Sequence, residues 1–174
     1  MNINDNQTNE TLAQLVENLA QELKLYILLE ETIRNKQQSI VQGNVNEMRE
    51  LVEREQTLLL EAQGISEQRQ LSVNAVAENI DTLPANPALK DIIPRVPEVV
   101  SIKLAGIRQD LRAVLQRIAR LNQENGFLLS ASLEHVRSMV HLFLRFDPNP
   151  QNVYDVNGAI AQQEVDHNVL DCQI

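Results

Sequence analysis

One feature constrains this chain more than any other. Val100, Leu104, Ile107, Leu111, Val114, Ile118, Leu121, Asn125, Leu128, Ser132, His135, Met139, Leu142 and Phe146 follow one another at alternating steps of four and three. A period of 3.5 residues held over that length is the seam of a left-handed coiled coil, so a helix is predicted over 97–146. A strand, which alternates every second residue, cannot bury such a pattern.

Proline sets the limits of the other elements. Pro84, Pro87, Pro94 and Pro97 form one cluster, and Pro148 and Pro150 a second. Inside a helix each would remove a hydrogen bond and clash with the preceding turn. Two permissive stretches remain, and Gly43 divides the first. Asn44 and Glu47 follow that glycine as a stop and restart signal. Helices are therefore expected over 9–42 and 44–82. In the first, Leu12, Leu19, Tyr26, Ile33 and Ile40 recur every seventh residue, widened by Leu15, Val16, Leu23 and Leu29. In the second, Val45, Val52, Leu59, Val73 and Ile80 keep the period with Ser66 as its polar member. Met48, Leu51, Leu58, Ala62, Ile65 and Val76 flank them. Short connections make neighbours antiparallel. The fold class expected is all-α: an antiparallel bundle of three long coiled-coil-like helices over 1–146. Residues 88–93 are expected to form one or two helical turns within the 83–97 connection.

From Phe146 to Ile174 there are five acids and no Lys or Arg. With its Asn, Gln, Gly and Pro, 147–174 is expected to be a flexible acidic tail. The predicted helices would be roughly 50, 58 and 75 Å long at 1.5 Å per residue. The third would exceed the first by about 25 Å and carry its excess past the Gly43 turn. That excess contains Met139, Val140, Leu142, Phe143, Leu144 and Phe146. An exposed apolar helix end of this kind self-associates or docks a partner.

Charge and residue usage exclude several functions. The chain has 24 acidic and 15 basic residues, a net charge of -9, which disfavours nucleic acid and anionic membrane surfaces as partners. A single cysteine, Cys172, leaves no disulfide framework or cysteine zinc site within the chain. The amino terminus lacks the apolar region of a secretory signal, and no stretch is apolar enough for a membrane span. A cytoplasmic protein is expected. His135 and His141 are six residues apart on the third helix, so they point to different sides. No phosphate-binding, dinucleotide, nucleophile-elbow or metalloprotease motif occurs. Neither enzyme activity nor a cofactor is expected.

One segment departs from plain seam. Asn125 stands where an apolar residue is expected, and Gly126 follows in mid-helix, at a cost of about 1 kcal/mol relative to Ala. Two readings are open: a register-fixing polar residue with a glycine admitting a close neighbour, or a recognition surface.

The segment Leu121-Asn122-Gln123-Glu124-Asn125, continued by Gly126-Phe127-Leu128-Leu129, resembles the L-N-x-x-N signature of FlgN-type flagellar export chaperones. Tyr154-Asp155-Val156-Asn157-Gly158 is similar to that family's Y-x-x-x-G tail motif. The layout is similar as well, although the tail after Gly158 is more acidic than in commoner members. The resemblance implies a cytoplasmic chaperone that binds the hook–filament junction (hook-associated) proteins. It would keep their C-terminal segments soluble and deliver them to the flagellar type III export apparatus. Carried over by position, the client surface is expected on Asn122, Asn125, Gly126, Leu128, Ser132, His135, Met139, Leu142, Phe143 and Phe146. Tyr154 is expected to dock on the cytoplasmic domain of the export gate. A coiled-coil scaffold or oligomerisation protein is the alternative. It would form stable oligomers through the third helix, whereas a chaperone that self-associates when free would exchange that contact for a 1:1 client complex.

Overall fold

The computed structural model describes residues 3–80, 83–84 and 87–145. Four α-helices appear in order: α1 (Ile3–Gln42), α2 (Val45–Glu78), α3 (Leu89–Ile92) and α4 (Glu98–Arg145), with a 3-10 turn at Ile93–Arg95 between the last two. No strand occurs among the described residues. The chain divides after Ala131 into two units.

The ends of these helices follow from their side chains. Gly43 has φ +68, the left-handed conformation that costs other residues a Cβ clash. It lets the Gly43 N–H donate to Ile40 and the Asn44 N–H to Ser39, closing the carbonyl end of α1. Asn44 at once opens α2: its Oδ1 accepts from the Glu47 N–H at 3.3 Å, and its Nδ2 donates to the Glu47 carboxylate at 3.0 Å. The two junctions leave room for only two non-helical residues. α2 stops at Glu78, short of the expected 82, because Asn79 turns its amide back onto the Ala75 carbonyl at 2.8 Å. That side-chain bond offers the backbone an alternative to another helical turn. Pro97 precedes α4, and its carbonyl accepts from Val100 and Ser101 at 2.9 Å. It is thus the N-cap, one position before the place expected for it. α1 begins six residues earlier than expected. The 48 residues of α4 therefore exceed the 40 of α1 by about 12 Å, half the expected difference.

Residues 1–131 hold the core, in two apolar clusters. The first joins Leu12, Leu15 and Leu19 of α1, Val73 and Val76 of α2, Ile92 of α3, and Leu104 and Leu111 of α4. The second joins Leu29 and Ile33 to Leu58 and to Val114, Ile118 and Leu121. The expected short helical turns in the connection form, and Ile92 carries them into the core with no exposed surface. Polar residues interrupt the core on α1 and α2, Asn18 and Ser72 beside the first cluster and Glu22 with Arg69 between the two. Asn18 Nδ2 donates to Ser72 Oγ at 2.8 Å, and Arg69 Nε lies 3.0 Å from Glu22 Oε2.

The cross-helix partners report direction. Asn18 meets Ser72, Glu22 meets Arg69 and Lys36 meets Glu55, so α1 and α2 run in opposite senses. α4 supplies Arg117 to Glu30 and Asn125 to Ile33, in the same order as α1.

The seam of α1 is the expected one, with Leu12, Leu19, Ile33 and Ile40 buried and Tyr26 half-buried. α2 differs. Val45, Val52 and Leu59 of the expected heptad face solvent, while Leu58, Ala62 and Val76 of the flanking stripe are buried together with Val73. The pairing with α1 selects that flank at the Gly43 end of α2.

Candidate functional site

The polar break in the α4 seam is tied directly to α1. Asn125 is only 3% exposed, and its Nδ2 donates to the Ile33 carbonyl at 3.1 Å. Its Oδ1 is buried without a hydrogen bond. Such a side chain cannot shift along the seam without losing its partner, so it fixes the register of α4 against α1. One position on, Gly126 has a different character. A Cβ at Gly126 would meet nothing within 4 Å, so the glycine admits no close neighbour. Of the two open readings, the one in which the glycine admits a close neighbour does not hold for Gly126.

Beside Asn125 a surface opens. Gln37 Nε2 donates to Glu124 Oε2 at 3.2 Å, and Arg120 Nε donates to Glu124 Oε1 at 2.8 Å. Those bonds, that from Arg120 first, hold the Glu124 carboxyl below its usual range. Next to them a cleft of about 440 Å³ is lined by Gln37, Gln123, Glu124, Phe127 and Leu128. A second, of about 410 Å³, lies over Gln37, Gln38, Val41, Gln42 and Leu128. Phe127 and Val41 are 75% and 70% exposed, so the rim of this surface is apolar.

From Ser132 to Leu144 every side chain is exposed. The seam positions Ser132, His135, Met139 and Leu142 are all in solvent, although their spacing is that of a core. Beside them Leu133, Val136, Val140 and Leu144 also face solvent, as does Phe143. Steps of three and four place these residues on one side of the helix. They form a second apolar stripe, of which only Phe143 is among the expected site residues. It is visible in the sequence, but the longer seam draws attention from it. Asn122 of the signature is exposed. Phe146 and Tyr154 lie outside the described residues, as does the acidic tail.

The second polar group of note is the break between the two core clusters. Glu22 is 4% exposed, and burial pushes its carboxyl above the ordinary range, opposed by Arg69 and by the Tyr26 hydroxyl. Burial likewise raises Tyr26, reinforced by the charge of Glu22. Further along α1, Glu30 accepts from Arg117 at 3.0 Å and from Arg34 at 2.9 Å. Its carboxyl is held below the ordinary range, first by the hydrogen bond from Arg117. Among the described residues no group of three His, Cys, Asp or Glu could hold a metal ion.

These elements define an all-α protein whose last helix leaves a run of large apolar side chains uncovered. A family model described as FlgN protein matches residues 1–162, and the chain belongs to the FlgN family. It is a family of flagellar assembly chaperones rather than of enzymes. The match includes both the Asn122–Asn125 signature and Tyr154. Comparison with curated proteins gives no match, and comparison with solved structures gives none. Among the described residues, no helix is long and apolar enough to cross a membrane.

Proposed function

We propose that this chain is a cytoplasmic export chaperone for hook-associated proteins. Its three long helices pack as an antiparallel bundle. The surface after Asn125 receives a C-terminal segment of the client, and the chaperone then delivers it to the export gate. Tyr154 is assigned to the gate's cytoplasmic domain. The observation that carries the reading is the exposure of Leu133, Val136, Val140, Phe143 and Leu144 on α4. Large apolar side chains gathered on one side of a helix mark a docking surface, and an amphipathic partner helix matches their spacing. Family membership supports flagellar export as the setting.

The test is capture of a client. A hook-associated protein with its C-terminal segment should form a 1:1 complex by size-exclusion chromatography with light scattering. Val140→Asp should abolish the complex, because a charge would be buried there only upon binding. An oligomer of this chain that persists unchanged with client present would instead support the scaffold reading.

A further inference from the structure

The break between the two core clusters opens to the surface. There, in residues 1–131, a cleft of about 270 Å³ is lined by Tyr26, Leu89, Arg108, Leu111, Arg112 and Leu115, with the Glu22–Arg69 pair beneath. Its basic groups are not equivalent. Arg69 is matched by Glu22 at 3.0 Å. Arg108 and Arg112 are in no ion pair among the described residues. They stand one turn apart on α4, where like charges disfavour the helix by a few tenths of a kcal/mol. Asp110, between them in sequence, exerts its charge on Arg117. In a chain of net charge -9, the cleft is a local concentration of uncompensated positive charge.

We propose that this cleft docks an acidic, apolar-flanked segment of a partner protein, at a place separate from the client surface on α4. One carboxylate of the segment lies between the Arg108 and Arg112 guanidiniums, which offer forked donors suited to it. A neighbouring apolar side chain covers Leu111, Leu115 and the ring of Tyr26. One feature favours a peptide over a small anion. Leu115 is 43% exposed and would remain so around a bare ion. Charge complementarity then favours an acidic segment at these two arginines.

A short fluorescein-labelled peptide alternating glutamate and leucine tests the proposal by fluorescence polarisation at low ionic strength. Wild-type protein should bind it saturably, at least about tenfold tighter than the glutamine counterpart, a difference of about 1.4 kcal/mol. The double variant Arg108→Gln/Arg112→Gln should lose that preference while keeping its circular dichroism and melting temperature. Should the double variant fail to fold, Arg112→Gln at an exposed position serves alone. Phe143→Asp should bind the peptide as wild type does, so this site and the client surface fail or succeed separately. Equal binding of the glutamine peptide overturns the proposal, as does unchanged binding by a folded arginine variant. Displacement of the peptide by inorganic phosphate at matched ionic strength overturns it in favour of a simple anion site.

Discussion

At the scale of single residues, the polar breaks are not interchangeable. Asn125 and Gly126 are adjacent and both look like defects in a seam, yet only the first has a structural task. Asn125 reaches the Ile33 carbonyl, whereas a methyl group at Gly126 would stand in open space. Gly126→Ala should therefore stabilise the protein by about 1 kcal/mol, the helix-propensity difference. Chemical denaturation reads this directly, and a loss of stability would show that the glycine has a packing role after all. Glu30 supports a second expectation, from pH. Its folded carboxyl titrates below the ordinary 4.5, so its pairing adds stability above that value and loses it as pH falls through the lower folded one. Arg117→Ala should melt at a lower temperature than wild type at neutral pH. The two curves should converge in acid, whereas a gap that is independent of pH would assign Arg117 a role other than this pairing.

At the scale of elements, α4 carries one repeat into two environments. The seam from Leu104 to Asn125 is buried except for the half-buried Ile107, Leu128 is half-buried, and from Ser132 the same spacing is in solvent. Periodicity reports which side of a helix is apolar. It does not report whether anything covers that side. Leu142→Asp is expected to leave helix content and melting temperature unchanged, since Leu142 is 57% exposed, while client capture by the proposed surface is lost. Unfolding of that variant would place Leu142 in an intramolecular core. At the other end of the scale, the α1–α2 turn depends on one backbone angle. Gly43→Ala should cost about 1–2 kcal/mol by forcing a Cβ into the left-handed conformation. Thermal unfolding checks this, and an unchanged midpoint would mean the turn relaxes to another geometry.

At the scale of the whole molecule, the proposed role separates holding a client from delivering it. Tyr154→Ala should leave melting temperature and client binding as in wild type, and reduce capture of the loaded chaperone by the gate's cytoplasmic domain. A Tyr154→Ala protein that reaches the gate as tightly as wild type would remove this residue from the assignment. The aromatic suits the task because a tyrosine offers a broad apolar face and a hydroxyl at low entropic cost.

The amino-acid sequence by itself determined the helical class, the Gly43 turn, the interruption near the prolines and the family signature around Asn122 and Asn125. Each is local: proline geometry, a left-handed glycine, an Asn cap, or a repeat along one helix. Tertiary structure decided which stripe of α2 is buried, because two adjacent apolar stripes satisfy the same period and only pairing with α1 distinguishes them. It also decided that Ile92 joins the core, and that Glu22 and Arg69 meet there, since neither contact has a signature in nearby sequence. The exposed stripe from Leu133 to Leu144 was written in the sequence as spacing. That these side chains are exposed depends on what packs against them, which no local pattern encodes.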